Sequence, residues 1–87
     1  MAKIGFREIV CSQVARRMRA ERERKRLSMT RLAETAGLSQ GMISLVEHGK
    51  RKPTLDTLLR MCEALGIKLS TVVAGAERSA GKQHSEK

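Results

Sequence analysis

Between Ser28 and Gly66 the chain alternates, at short intervals, between residues that start helices and residues that stop them. Ser28, Ser39 and Thr54 each precede a run of helix formers, and Gly37, Gly49 and Gly66 each follow one. A Ser or Thr side chain accepts a hydrogen bond from the unpaired N–H groups of a first helical turn. Glycine adopts the left-handed conformation in which helices commonly end. The punctuation predicts short helices over MTRLAETA, QGMISLVEH and LDTLLRMCEAL, with Pro53 closing the loop before the last of them.

Apolar spacing fills in the rest. Phe6, Ile9, Val10, Val14 and Met18 recur at intervals of three and four, the stripe of an amphipathic helix that ends near Arg26. It starts either near Phe6 or at Ser12, so residues 1–11 are an N-terminal extension that is a helix start or an extended arm. Leu32, Ala33 and Ala36 face inward from the second helix, and Ile43 and Val46 from the third. Leu38 plugs the turn between them. Leu55, Leu58, Leu59, Cys62 and Leu65 form the apolar face of the fourth. Ser70 caps a last turn or short helix through Val72 and Val73. Beyond Ala74 the residues are small and polar, which predicts a flexible tail over 75–87 and a folded domain over 12–74.

Eighty-seven residues suffice for one small domain with a thin core. With one Phe and no Tyr or Trp, aliphatic residues and Met must fill it. The formal net charge of +9 implies an acidic polymer as partner: DNA, RNA or an anionic membrane surface. No apolar stretch approaches the roughly 20 residues of a membrane span, so a membrane partner is not expected. The absence of stacking aromatics argues against single-strand binding. Cys11 and Cys62 form no ligand cluster, and His48 and His84 are isolated. No nucleophile motif surrounds the Ser, His and Asp residues. These readings predict no metal, no cofactor and no enzymatic activity, and a reducing cytoplasm as the location.

The functional signal lies in residues 28–49, two short helices joined by a tight turn at Gly37. This is the helix-turn-helix layout, whose second helix lies in the major groove of double-stranded DNA. With Ile43 and Val46 inward, Gln40, Gly41, Ser44, Leu45 and His48 fall on the opposite face, which carries no acid. Gln40 can pair with adenine N6 and N7, Ser44 with several base edges, and Leu45 or Met42 can touch thymine methyls. Lys50, Arg51 and Lys52, with the starts of the second and third helices, are candidate phosphate anchors.

The pattern S-x-x-x-L-A-x-x-x-G-[apolar]-S-Q-x-x-I-S-x-x-E-x-G-K-[RK]-x-P, running from Ser28 to Pro53, resembles the Xre family, which includes the lambda-type phage repressors and Cro proteins. The resemblance extends from about Val14 to Val73. It implies an all-α, compact five-helix bundle. It also implies base reading by Gln40, Gly41 and Leu45, with Ser44 beside them. Phosphate contact falls to Ser28 at the cap of the second helix and to His48, Lys50 and Lys52. Arg22 and Glu47 would form a partly buried ion pair between the first and third helices.

The sequence departs from the family in three places. Met29 stands where a glutamine often buttresses the base-reading residue, which predicts weaker polar readout. Gly41 and Leu45 remove hydrogen-bonding side chains from the reading face. Arg26 stands where glycine often ends the first helix. Ile67, Leu69, Val72 and Val73 resemble the dimer surface of short family members, to which Phe6, Ile9 and Val10 would add. A symmetric homodimer would read half-sites about 34–36 Å apart. The expected function is sequence-specific transcriptional regulation, with repression as the expected direction. The competing expectation is an antitoxin or adaptor that binds a protein partner and uses DNA binding for autoregulation.

Overall fold

The computed structural model describes residues 5–85, and the side chains of residues 5–82. Five helices follow one another: α1 (Phe6–Arg24), α2 (Met29–Ala36), α3 (Gln40–Glu47), α4 (Leu55–Leu65) and α5 (Leu69–Ser85). The cap residues act locally. Ser28 Oγ accepts from the Arg31 N–H, Ser39 Oγ from the Met42 N–H, and Thr54 Oγ1 from the Thr57 N–H. Gly37 and Gly66 end α2 and α4 with φ of 72° and 71°, where a Cβ would be strained. Leu38 and Ile67, the residues after these glycines, donate back to the Ala33 and Cys62 carbonyls. That bond satisfies carbonyls that a helix end leaves open.

The core is built from Met18, Leu32, Ile43, Val46, Met61, Cys62 and Leu65, all nearly or fully buried, with Val14, Ala33, Val72 and Ala76 around them. Leu38 is half-buried against it. Burial pushes the Cys62 thiol above its usual pKa, and its Sγ lies 3.9 Å from Met18 Sδ. Cys11 is exposed on α1.

One open alternative is resolved and three expectations change. The first helix starts at Phe6, so Ser12 lies inside it and residues 6–11 are helical; residues 1–4 lie outside the described range. It ends at Arg24, and Arg26 then takes a φ of 58°, the left-handed conformation without the glycine that usually serves it.

Helix α5 does not stop at Val73. It continues to Ser85, through most of the segment expected to be a flexible tail, and residues 86–87 lie outside the described range. Val72, Ala76 and Ala80, spaced by four, form one buried face. The pairing of α1 with α5 is the most extensive between helices. Arg17 ties it: Nη2 donates to the Gly75 carbonyl at 3.1 Å and to Ser79 Oγ at 3.0 Å. A Cβ on Gly75 would lie 2.9 Å from the Arg17 guanidinium, so the bare backbone is what admits this arginine.

The α4 stripe is narrower than its apolar residues suggested. Leu58, Cys62 and Leu65 turn inward, whereas Leu55 and Leu59 are exposed. Finally, Val72 is 7% exposed and belongs to the core of its own chain, so it cannot contribute a free dimer surface. Ile67, Leu69 and Val73 are half-buried against that core.

Candidate nucleic-acid interface

Helices α2 and α3 meet across the Gly37 turn so that their first residues touch: Gln40 Nε2 donates to Met29 Sδ at 3.6 Å. The two helix N-termini, each with a serine cap, therefore open side by side. Their unpaired N–H groups and dipoles favour anionic groups there. Ser28 and Ser39 are both exposed.

Ile43, Val46 and Glu47 turn into the protein from α3. Gln40, Gly41 and Leu45 are exposed and Ser44 is half-buried, which gives one continuous outward face at helical spacing. Met42 packs partly against the core, so Leu45 is the large apolar side chain exposed on this face. Gly41 has a negative φ, and a Cβ there would meet only Ser39 Oγ, at 4.0 Å. The fold does not require this glycine. Its effect is on the surface, where it lets another molecule approach the helix backbone closely.

The acid of α3 is removed from this face by pairing. The Glu47 carboxylate is fully buried and bound in a fork by Arg22, so the outward face keeps no negative charge. His48 is exposed at the end of α3, and its Nδ1 lies 2.8 Å from the Ser44 carbonyl and 3.4 Å from Ser44 Oγ. A carbonyl can only accept, so Nδ1 carries the proton and Nε2 is the ring atom left for an outside partner. Gly49, with φ of 69°, turns the chain, and the Lys50 and Arg51 N–H groups both bond to the Leu45 carbonyl. Lys50, Arg51 and Lys52 are thereby held, exposed, beside the α3 face.

The basic run of α1 is distributed otherwise. Arg17 serves α5, Arg22 serves Glu47, and Arg19 and Arg24 pair on the surface with Glu23 at 3.1 Å and Glu21 at 2.8 Å. The Arg24 guanidinium holds the Glu21 carboxyl below its usual pKa. Sequence reasoning missed the roles of Met29 and Arg17. Neither had a local signal, because each depends on a residue brought near by the fold.

Among the described residues no group of His, Cys, Asp and Glu could hold a metal ion. Among them, too, no helix is long and apolar enough to cross a membrane.

Comparison with known proteins agrees with this geometry. The helix-turn-helix family matches residues 18–72. The immunity repressor protein of Bacillus phage phi105 is 37% identical over 60 residues, covering 69% of this chain and 42% of the repressor. The HTH-type transcriptional regulator y4dJ of Sinorhizobium fredii is 36% identical over 64 residues, covering 74% of this chain and 78% of that protein. The chain thus spans less than half of the phage relative and most of the other. Among solved structures, the clp gene regulator ClgR of Corynebacterium glutamicum superposes with a TM-score of 0.76 at 27% identity, over 85% of this chain and 79% of that one. The chain belongs to the Xre-like helix-turn-helix family of DNA-binding transcriptional regulators.

Proposed function

We propose that the chain represses transcription by binding, as a symmetric homodimer, an operator made of two half-sites. In this reading α3 enters the major groove. Gln40, Gly41, Ser44 and Leu45 face the base edges. Ser28, Ser39, His48, Lys50, Arg51 and Lys52 lie along the flanking phosphates. The observation that carries the reading is the acid-free outward face of α3, set between two serine-capped helix N-termini and a basic loop. Phosphate neutralisation supplies most of the affinity and the α3 face supplies the sequence information. Repression is supported by likeness to a phage immunity repressor. Ile67, Leu69 and Val73 are the apolar side chains left for a partner copy at the α4–α5 junction, and one monomer would read too few base pairs to be selective.

Selection of bound sequences from a random duplex library at physiological salt tests this. The expected product is an inverted repeat with centres about one helical turn apart, bound by two chains as measured by sedimentation. Recovery of unrelated sequences, or of a single half-site bound by one chain, would contradict it.

A further inference from the structure

Behind the outward face of α3 a groove of about 480 Å³ runs between the first half of α1, the end of α3, the loop that follows it and α4. Small-molecule sites span about 300–1,000 Å³. Its floor and walls are apolar: Val14, Ala15 and Val46 are buried, and Val10, Pro53 and Leu58 are half-buried. Its edge is cationic. Arg16, Arg51 and Lys52 line it, all exposed, and among the described residues none of their side chains has an ion-pair or hydrogen-bond partner. The two acids beside the groove do not answer this charge. The Glu47 carboxylate is bound by Arg22. That of Glu8 folds back on the start of α1, with Oε1 2.8 Å from where a Cβ on Gly5 would lie.

The geometry points to an effector site for a small apolar carboxylate, its hydrocarbon body against Val14, Val46 and Leu58 and its charged end on Arg16, Arg51 and Lys52. Apolar burial supplies the affinity. Charge-assisted hydrogen bonds select the anion. The walls alone would take a neutral or cationic molecule as readily, so the unanswered cations decide the sign. The regulatory part rests on the phosphate-binding role proposed for Arg51 and Lys52. A carboxylate held between them and Arg16 withdraws both from the flanking phosphates, so the occupied protein binds its operator less tightly. Coupling between two binding sites is reciprocal, so DNA weakens the carboxylate by the same factor.

Cys11 lines the same groove and is exposed, whereas Cys62 is buried, so the rate at which iodoacetamide alkylates the whole chain reports on the site. The probe is octanoate. It is expected to slow alkylation, while acetate, which lacks the tail, and octylammonium, which carries the opposite charge, do not. In fluorescence anisotropy with an operator duplex at fixed ionic strength, octanoate is expected to raise Kd about fivefold or more. Arg16→Ala, outside the proposed DNA contacts, is expected to bind the duplex nearly as before and to lose the response. Equal protection by octylammonium, none by octanoate, or full protection of Arg16→Ala overturns the site and leaves the DNA reading standing. Protection with unchanged operator affinity overturns the effector role. Slow alkylation of the free protein that quickens on dilution would put a second copy in the groove and overturn it too. A chain that binds no operator overturns the repressor reading instead, and the alkylation rates, taken without DNA, still decide the groove.

Discussion

Arg22 and Glu47, from the end of α1 and the end of α3, meet as a forked ion pair: Nε to Oε2 at 2.7 Å and Nη2 to Oε1 at 3.0 Å. The third arm of the guanidinium, Nη1, donates to the Leu27 carbonyl at 2.7 Å. One side chain thus joins α1, the loop that leads into α2, and the end of α3. The pair also holds the Arg22 proton more firmly than usual. Removing one partner strands the other away from water. Glu47→Ala is expected to lower stability by about 3–5 kcal/mol, and Glu47→Gln, which keeps an acceptor, by less. Urea denaturation measures both. A loss under about 1 kcal/mol for Glu47→Ala, as at an exposed pair, would contradict a buried role.

Arg26 occupies a left-handed conformation at φ 58°. For a residue with a Cβ this costs roughly 1–2 kcal/mol, of which the greater unfolded-state freedom of glycine takes back part. Arg26→Gly is therefore expected to stabilise the fold by about 0.5–1 kcal/mol, visible as a Tm rise of a few degrees. A fall in Tm would show that the arginine side chain makes an offsetting interaction.

The second half of α5 is expected to be structural. Deleting residues 75–87 removes Ala76 and Ala80 from their seat on α1 and both acceptors from Arg17. Hydrogen bonds to a charged group contribute about 1.5–3 kcal/mol, so the shortened chain is expected to lose about 2 kcal/mol or more. Thermal denaturation followed by circular dichroism checks this. An unchanged Tm would restore the flexible tail that its composition suggests.

Gly41 separates stability from binding. The space around it is open, and alanine is the better helix former by up to about 1 kcal/mol. Gly41→Ala is expected to hold or raise the Tm while weakening operator binding, because the added methyl group keeps the helix backbone from the bases. Equal or tighter binding would remove Gly41 from the contact face.

What the sequence revealed depended on how local the signal was. Cap chemistry is decided within four residues, so Ser28, Ser39 and Thr54 stood out with their glycine stops. The face of α3 followed from Ile43 and Val46, whose inward direction leaves no choice for Gln40, Gly41 and Leu45. The Arg22–Glu47 pair was accessible only through family resemblance, since charge alone cannot distinguish Arg22 from its basic neighbours. The length of α5 was hidden because Ala76 and Ala80 carry almost no hydropathy signal; they are buried by their smallness, which lets α5 lie close to α1. Leu55 and Leu59 misled in the opposite sense. Their spacing is helical, but both stay exposed, because spacing alone does not say how wide a face the neighbouring helices cover. The Met29 sulfur could not be read as a partner of Gln40 because that contact exists only once the Gly37 turn has folded.

The central claim is that the outward face of α3 meets the duplex. Backbone amide shifts of the whole chain, followed by NMR as an operator duplex is added, test it most directly. The largest changes are expected at residues 39–45 and 50–52, with the α1–α5 face nearly silent. Strong shifts along α1 and α5 with Gln40, Gly41 and Leu45 unmoved would contradict it.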